Sequence, residues 1–357
     1  MRAQSFVSKR IGWRRSIENR GSCALGSPDR VHRFRPLTRS DMSTTTAIAH
    51  TFDQASRAAL RKKADAIRWF HAIDFGDFQT RGRFPAHLPP NSTLYPVFEL
   101  LSRVEIGGLR CLDIGTYSGL VAHGLAKLGA ASVAATDIQD RPEFRLTSEL
   151  LGIEIDYRPD VLIDGLEGAF EAESFDLIIC AGVLYHMLDH MLDPVRAFSE
   201  CRKLLRPGGL LILETAFHAG LEGPTMFLNS EDDQYIEPTT YWLPSRGAVE
   251  GMARLCCFDV LQTIELAHTR PQYARLAVAC RACGPDEIGD RRPNLVRIHE
   301  RGVKGLGYKP ASLTSAGAGE AISYTGERGH TVMRAEAYTP SFPLHAHTLR
   351  DPVGLTS

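Results

Sequence analysis

Long apolar runs are missing from this chain. None approaches the roughly 18 consecutive apolar residues that a membrane-spanning helix requires. The longest, such as Leu210–Leu213 and Leu276–Cys280, are of strand length and end in charged or polar residues, so no membrane partner is expected. An excess of charge of either sign is missing too. The 41 Lys and Arg against 42 Asp and Glu leave a formal net charge of −1, which excludes a chain-wide basic surface and leaves room only for a local basic patch. A dense cysteine framework is also missing. The eight cysteines are scattered, and Cys111, Cys180 and Cys280 fall inside apolar runs, where thiols act as small core hydrophobes. That usage points to a reducing, cytoplasmic compartment rather than a secreted protein. Cys280-Arg-Ala-Cys283, with Cys256-Cys257 upstream, fits no standard zinc spacing, so no metal site is expected.

What remains is a 357-residue chain with 43% hydrophobic residues, enough for one large core or two small ones. Residues 1–50 are rich in arginine (Arg2, Arg10, Arg14, Arg15, Arg20, Arg30, Arg33, Arg35, Arg39) and poor in acids. They lack the continuous apolar segment of a secretory signal. They read as a disordered basic arm, or as sequence upstream of a true start at Met42, in preference to a targeting peptide or an RNA-binding arm.

Residues 51–107 form a helical entry segment. Phe52, Ala55, Ala59, Leu60, Ala64, Ile67 and Phe70 carry helical spacing over Phe52–Phe70. The proline-rich stretch 85–96 breaks it, and a second helix is expected near Val97–Val104.

Residues 108–283 alternate strictly. Strands are expected at 109–114, 132–137, 153–157, 175–181, 209–215, 258–266 and 273–281, and helices near 118–128, 143–151, 193–205 and 246–255. Short, nearly continuous apolar strands separated by helices predict an α/β fold: a doubly wound, Rossmann-like, seven-stranded sheet, mostly parallel. The tight connection Ala267–Pro271 makes the last two strands an antiparallel hairpin. Residues 284–357, rich in Gly, Pro, Ser and Thr, read as a mostly irregular appendage.

The chemistry-bearing motifs follow the strand ends. The first strand runs into Asp113-Ile-Gly-Thr-Tyr-Ser-Gly119. Gly115 allows a sharp turn and close backbone approach, and Gly119 allows close helix packing. Tyr117 stands where a dinucleotide fingerprint has its second glycine, the one that admits a pyrophosphate. A cofactor without phosphates escapes that requirement, and S-adenosylmethionine fits.

The second strand ends at Asp137, 24 residues beyond Asp113, near the offset of a carboxylate that grips ribose hydroxyls. Ile138, Asp160 and Val161 are expected at the adenine. The fourth strand leads into Gly182-Val-Leu-Tyr-His186, and Leu204-Leu-Arg-Pro-Gly-Gly209 supplies a helix end and a turn into the fifth. Asp113, Gly115, Thr116, Gly119, Asp137, Ile138, Asp160, Val161 and Gly182 make up the expected cofactor set.

Five stretches resemble the methyltransferases that modify 5-hydroxyuridine at the tRNA wobble position, together with their shorter relatives. These are Trp69-Phe-His-Ala-Ile-Asp-Phe-Gly76, Thr80-Arg-Gly-Arg83, the loop 113–119, Gly182-Val-Leu-Tyr-His186 and Pro238-Thr-Thr-Tyr-Trp-Leu-Pro244. The resemblance covers roughly 65–283. It implies a class I fold and either S-adenosylmethionine or carboxy-S-adenosylmethionine as donor. For the carboxylated donor it implies a tyrosine, matched by Tyr185, and cations, either Arg81 or Arg83 at the entry and either Arg270 or Arg275 near the last hairpin. The entry cation here is arginine rather than lysine, and the long N-terminal region of the full-length tRNA enzymes is missing. Plain methyl transfer is therefore the expectation.

Methyl transfer is an in-line displacement in which positioning supplies most of the rate, and a hydroxyl acceptor must also lose its proton. Tyr185 and His186 are the catalytic candidates. His71, Arg81, Arg83, Tyr241, Trp242 and Arg270 are the acceptor-side candidates, the aromatic pair suited to stacking on a planar group. His186 and His71 suit a packed or capping role equally well. Three readings stand: O-methylation of a small metabolite or sugar hydroxyl, modification of a tRNA wobble uridine, and a cofactor-binding fold without activity. Balanced charge favours the first. The intact glycines, Asp137 and Tyr185 count against the last.

Overall fold

The computed structural model describes residues 54–83, 88–187, 194–229, 239–283 and 322–346. The basic arm and residues 284–321 and 347–357 lie outside the described residues.

Five parallel strands form the centre: β1 (Arg110–Ile114), β2 (Ser132–Thr136), β3 (Asp156–Arg158), β4 (Phe175–Ala181) and β5 (Leu205–Ala216). The hairpin β8 (Phe258–Leu266) and β9 (Arg275–Ala282) is antiparallel, with β9 also antiparallel to β5. The sheet order is β10-β8-β9-β5-β4-β1-β2-β3. Chain direction thus diverges between β1 and β4, the switch point at which open sheets bind ligands beyond their strand ends.

Strand alternation feeds two cores. Leu177, Ile179, Leu210 and Ile212 pack on one face with α1 (Gln54–Asp65), α2 (Tyr95–Leu101), α3 (Leu120–Lys127) and α4 (Pro142–Leu151). Ile178, Cys180, Leu211 and Leu213 pack on the other with α5 (Leu166–Ala169), α6 (Pro194–Leu204) and α7 (Arg246–Leu255). Side chains of period two on apolar strands are what a sheet covered on both faces demands.

Several boundaries differ from expectation, each for a local reason. The first helix ends at Asp65 because the Trp69 indole donates to the Ala64 carbonyl at 2.9 Å, satisfying an acceptor that further helix would have used. Pro96 starts α2 instead of breaking it, since proline suits the first helical turn. Pro207-Gly208-Gly209 sits within β5 as an irregularity in its pairing with β4. A small hairpin, β6 (Met226–Leu228) with β7 (Trp242–Pro244), occupies what reads as loop in the sequence.

The larger difference is in the tail. Residues Gly329–Met333 form β10, an eighth strand parallel to β8. Phe342 is buried and stacks on Phe98 with ring centroids 4.6 Å apart. Gly124, inside α3, explains how it fits, because a Cβ there would run into the Phe342 ring. The segment 344–346 also holds the entry strand: the Asp74 N–H donates to the Leu344 carbonyl at 2.9 Å, and Ile73 bridges His345 antiparallel. This part of the tail is integral to the first core.

Among the described residues no helix is long and apolar enough to cross a membrane, and no group of three or more His, Cys, Asp or Glu side chains is placed to hold a metal. Cys256, Cys257 and Cys280 are buried, free thiols.

Candidate active site

The loops after β1, β2, β3 and β4 converge at the carboxyl edge of the sheet. In the first, Gly115 adopts a φ of 73° and a Cβ there would meet Val183 Cγ2 at 2.5 Å, so glycine is required on both counts. The N–H groups of Gly115 and Thr116 donate to the Thr136 carbonyl at 2.9 and 3.0 Å, tying this loop to the end of β2. Gly119, at φ 83°, leaves room for His123 and Phe144.

Asp113 faces inward rather than toward the crevice. Its Oδ2 accepts from Thr116 Oγ1 at 2.7 Å and from the Ala122 N–H at 3.1 Å, bracing the turn into α3. Burial pushes its carboxyl up to about 7.

Beyond β2, Asp137 receives the Tyr117 N–H at 2.9 Å. The Val161 N–H donates to the Asp137 carbonyl at 3.2 Å, which sets the loop after β3 beside the loop after β2. Ile138 and Leu162, in those two loops, are 63% and 45% exposed. Two apolar side chains left uncovered beside acids form a slot suited to a flat heterocycle. Asp160, exposed and at φ 60°, lies at its rim.

The entry segment reaches the glycine loop through His71, whose Nδ1 lies 2.8 Å from Ser118 Oγ. Asn91 clamps Ala72 from both sides, its side chain bonding the Ala72 N–H at 2.9 Å and carbonyl at 2.8 Å. Burial lowers the His71 imidazole to about 3 and that of His123 to about 4, from 6.5. Both rings fold neutral and must charge on unfolding in acid. Their stabilising contribution is therefore present above pH 6.5 and lost as pH falls through those values. Melting temperature should decline across that window, and His71→Gln should flatten part of the decline. A flat wild-type profile would contradict the neutral assignment. Arg81 and Arg83 are exposed, the Arg83 N–H bonding the Phe70 carbonyl at 2.9 Å.

After β4, Gly182 at φ 73° donates its N–H to the Glu214 carbonyl and to Glu214 Oε2, at 3.2 and 3.0 Å. Glu214 pairs with Arg275, Nε to Oε1 at 2.6 Å and Nη2 to Oε2 at 3.0 Å. Arg275 Nη2 also donates to Tyr185 Oη at 3.2 Å, and its guanidinium lies 4.7 Å from the Tyr185 ring centre. The cation at the tyrosine is thus Arg275. Arg270 is exposed and lies against Tyr273.

Sequence reading missed Glu214, although an acid closing the apolar run Leu210–Leu213 was a signal, since a buried carboxylate needs a buried partner.

His186 Nδ1 lies 2.6 Å from the Thr239 carbonyl. The same strap is laced to the loop after β4 twice more: the Tyr241 N–H donates to the Tyr185 carbonyl at 2.9 Å, and Trp242 Nε1 to the Met187 carbonyl at 2.8 Å. Tyr241 and Trp242 are half-buried.

This arrangement coincides with a family assignment. Residues 112–213 match the family described as Methyltransferase domain. The chain carries a methyltransferase domain. It is 39% identical over 132 residues to a ubiquinone biosynthesis O-methyltransferase of Xanthomonas euvesicatoria pv. vesicatoria, covering 35% of this chain and 52% of that protein. Likewise it is 38% identical over 119 residues to the enzyme so described from Cereibacter sphaeroides, covering 33% and 45%. The chain spans about half the length of the curated relatives it matches. Among solved structures it is similar to the N-terminal domain of EvdMO1, determined in the presence of SAH and D-fucose. The TM-score there is 0.47 at 15% identity, over 66% of this chain and 99% of that one.

Proposed function

We propose that this chain is an S-adenosylmethionine-dependent methyltransferase acting on a hydroxyl of a small metabolite or sugar. The observation that carries the oxygen assignment is the His186 hydrogen bond. A carbonyl only accepts, so the contact to Thr239 places the ring proton on Nδ1 and the lone pair on Nε2. A neutral imidazole oriented in this way is a general base, which a hydroxyl acceptor needs. The relatives named as O-methyltransferases support the same acceptor atom.

The residues present fit the cofactor. Tyr117 in place of a glycine leaves no phosphate cradle, Asp137 suits ribose hydroxyls, and Ile138, Val161 and Leu162 suit the adenine. Gly115, Thr116, Gly119 and Gly182 shape the crevice between them, with Asp160 at its edge. When bound, S-adenosylmethionine supplies an electrophilic methyl on a sulfonium. His186 Nε2 takes the acceptor proton as the oxygen–methyl bond forms and later returns it to solvent. Tyr185, its ring centroid 4.0 Å from that of His186, and Tyr241 and Trp242 line the approach.

The plain donor suits the site better than a carboxylated one. Glu214 matches the charge of Arg275 in a two-bond pair, so Arg275 brings no net positive charge to a further carboxylate. The His186→Gln chain should lose about 10²-fold in kcat, with the affinity for S-adenosylhomocysteine unchanged. An unchanged kcat would remove the histidine from the chemistry. Hydroxyuridine-bearing tRNA as acceptor, with both donors, tests the alternative substrate class.

A further inference from the structure

Asp137 is the group just assigned to the ribose, and the inference here rests on that reading. Yet the residue is only 4% exposed, and both carboxylate oxygens already have partners within the chain. Oδ2 accepts the Tyr117 N–H at 2.9 Å, and Oδ1 accepts Arg141 Nε at 2.9 Å. The Arg141 guanidinium lies 4.1 Å from the centre of the Tyr117 ring, which Phe70 contacts at 4.5 Å. Three segments, the entry strand, the glycine loop and the start of α4, therefore converge on one carboxylate. Tyr117 holds its place at φ 50°, a left-handed conformation that is costly for an aromatic residue and easy for glycine.

Nothing in helix formation asks for Arg141. It occupies the N-cap of α4 without a side-chain cap bond, and Pro142 follows in the first turn, where proline is already pre-organised. Its side chain is 14% exposed and that of Asp137 3%. A half-covered pair of this kind is worth more than a surface ion pair and is cheaper to part than a fully buried one.

We propose that Arg141 and Tyr117 set the affinity of the cofactor site by occupying it. Arg141 takes the Asp137 oxygen that a ribose hydroxyl would use, and the Tyr117 ring holds the guanidinium there. Binding exchanges the Arg141 bond for ribose hydroxyls, so the site holds nucleoside cofactor and product more weakly than its carboxylate alone would. The arrangement favours product release at the expense of affinity.

The test is calorimetric titration of S-adenosylhomocysteine into the full chain and its variants, a readout independent of turnover. Arg141→Ala should tighten binding about three- to tenfold. Arg141→Gln, which keeps the bulk and loses the charge, should move in the same direction. Tyr117→Gly preserves the N–H to Asp137 and suits the left-handed backbone. It should tighten binding less, and combined with Arg141→Ala it should add nothing, because the two act as one unit. Unchanged or weaker binding in both Arg141 variants would overturn the proposal and make Arg141 a cofactor-holding group instead. Asp137→Ala, titrated alongside, separates the two readings. If it loses affinity while the Arg141 variants gain none, this inference falls and the ribose assignment stands. If it binds normally, the ribose assignment falls and takes this inference with it.

Discussion

Glu214→Ala should destabilise the fold by about 3–5 kcal/mol. Glu214 is fully buried and Arg275 is 5% exposed, so truncating the acid strands a guanidinium among the apolar strands β5 and β9. The Gly182 N–H loses one of its two acceptors at the same time. Removing both charges should cost far less than removing one. In Glu214→Leu/Arg275→Met the desolvation of both ions disappears together, and such replacements are commonly close to neutral. Urea denaturation of the single and double variants checks this. A single variant within about 0.5 kcal/mol of wild type would mean that the pair is more hydrated than its burial indicates.

The second large effect is at the ribose acid. Asp137→Ala is predicted to weaken S-adenosylhomocysteine binding on the order of 10²–10³-fold, the loss expected for one to three charge-assisted hydrogen bonds. The change also leaves the Tyr117 N–H and Arg141 without the acceptor they now share, so the loop should loosen as well as lose a contact. Asp137→Asn separates the two effects. It keeps an acceptor for Tyr117 and removes the charge, and should fall between wild type and alanine. Calorimetry that shows wild-type affinity for the alanine variant would refute the ribose assignment.

The central sheet was legible because strand-length apolar runs alternate with helical spacing, and burial on both faces leaves little else such runs can do. Gly115 and Asp137 stood out by position, one at the end of the first strand and one at the end of the second. What stayed hidden depends on contacts remote in sequence. Arg275 was in view as one of two candidates, and only the fold, by placing β9 beside β5, sets it rather than Arg270 against Tyr185. The Asn91–His345 contact spans 254 positions. β10 is an edge strand whose residues Gly329–Val332 are exposed, so it lacks the half-apolar alternation by which strands announce themselves. Phe342 leaves its mark in Gly124, a mid-helix glycine whose cost is explained by the aromatic ring it admits. The hydrogen bond of His186 needed the strap at 239–242 in place before its tautomer could be read.

The measurement that bears most directly on the whole account is transfer of label from methyl-labelled S-adenosylmethionine by the purified full chain. The acceptor panel would hold hydroxylated small metabolites, sugars, matched amines and hydroxyuridine-bearing tRNA, with product masses and positions determined. The account predicts label on the oxygen of a small hydroxylated acceptor, a stoichiometric yield of S-adenosylhomocysteine, and loss of both in His186→Gln. Label appearing only on nitrogen, or a chain that fails to bind the cofactor at all, would contradict it.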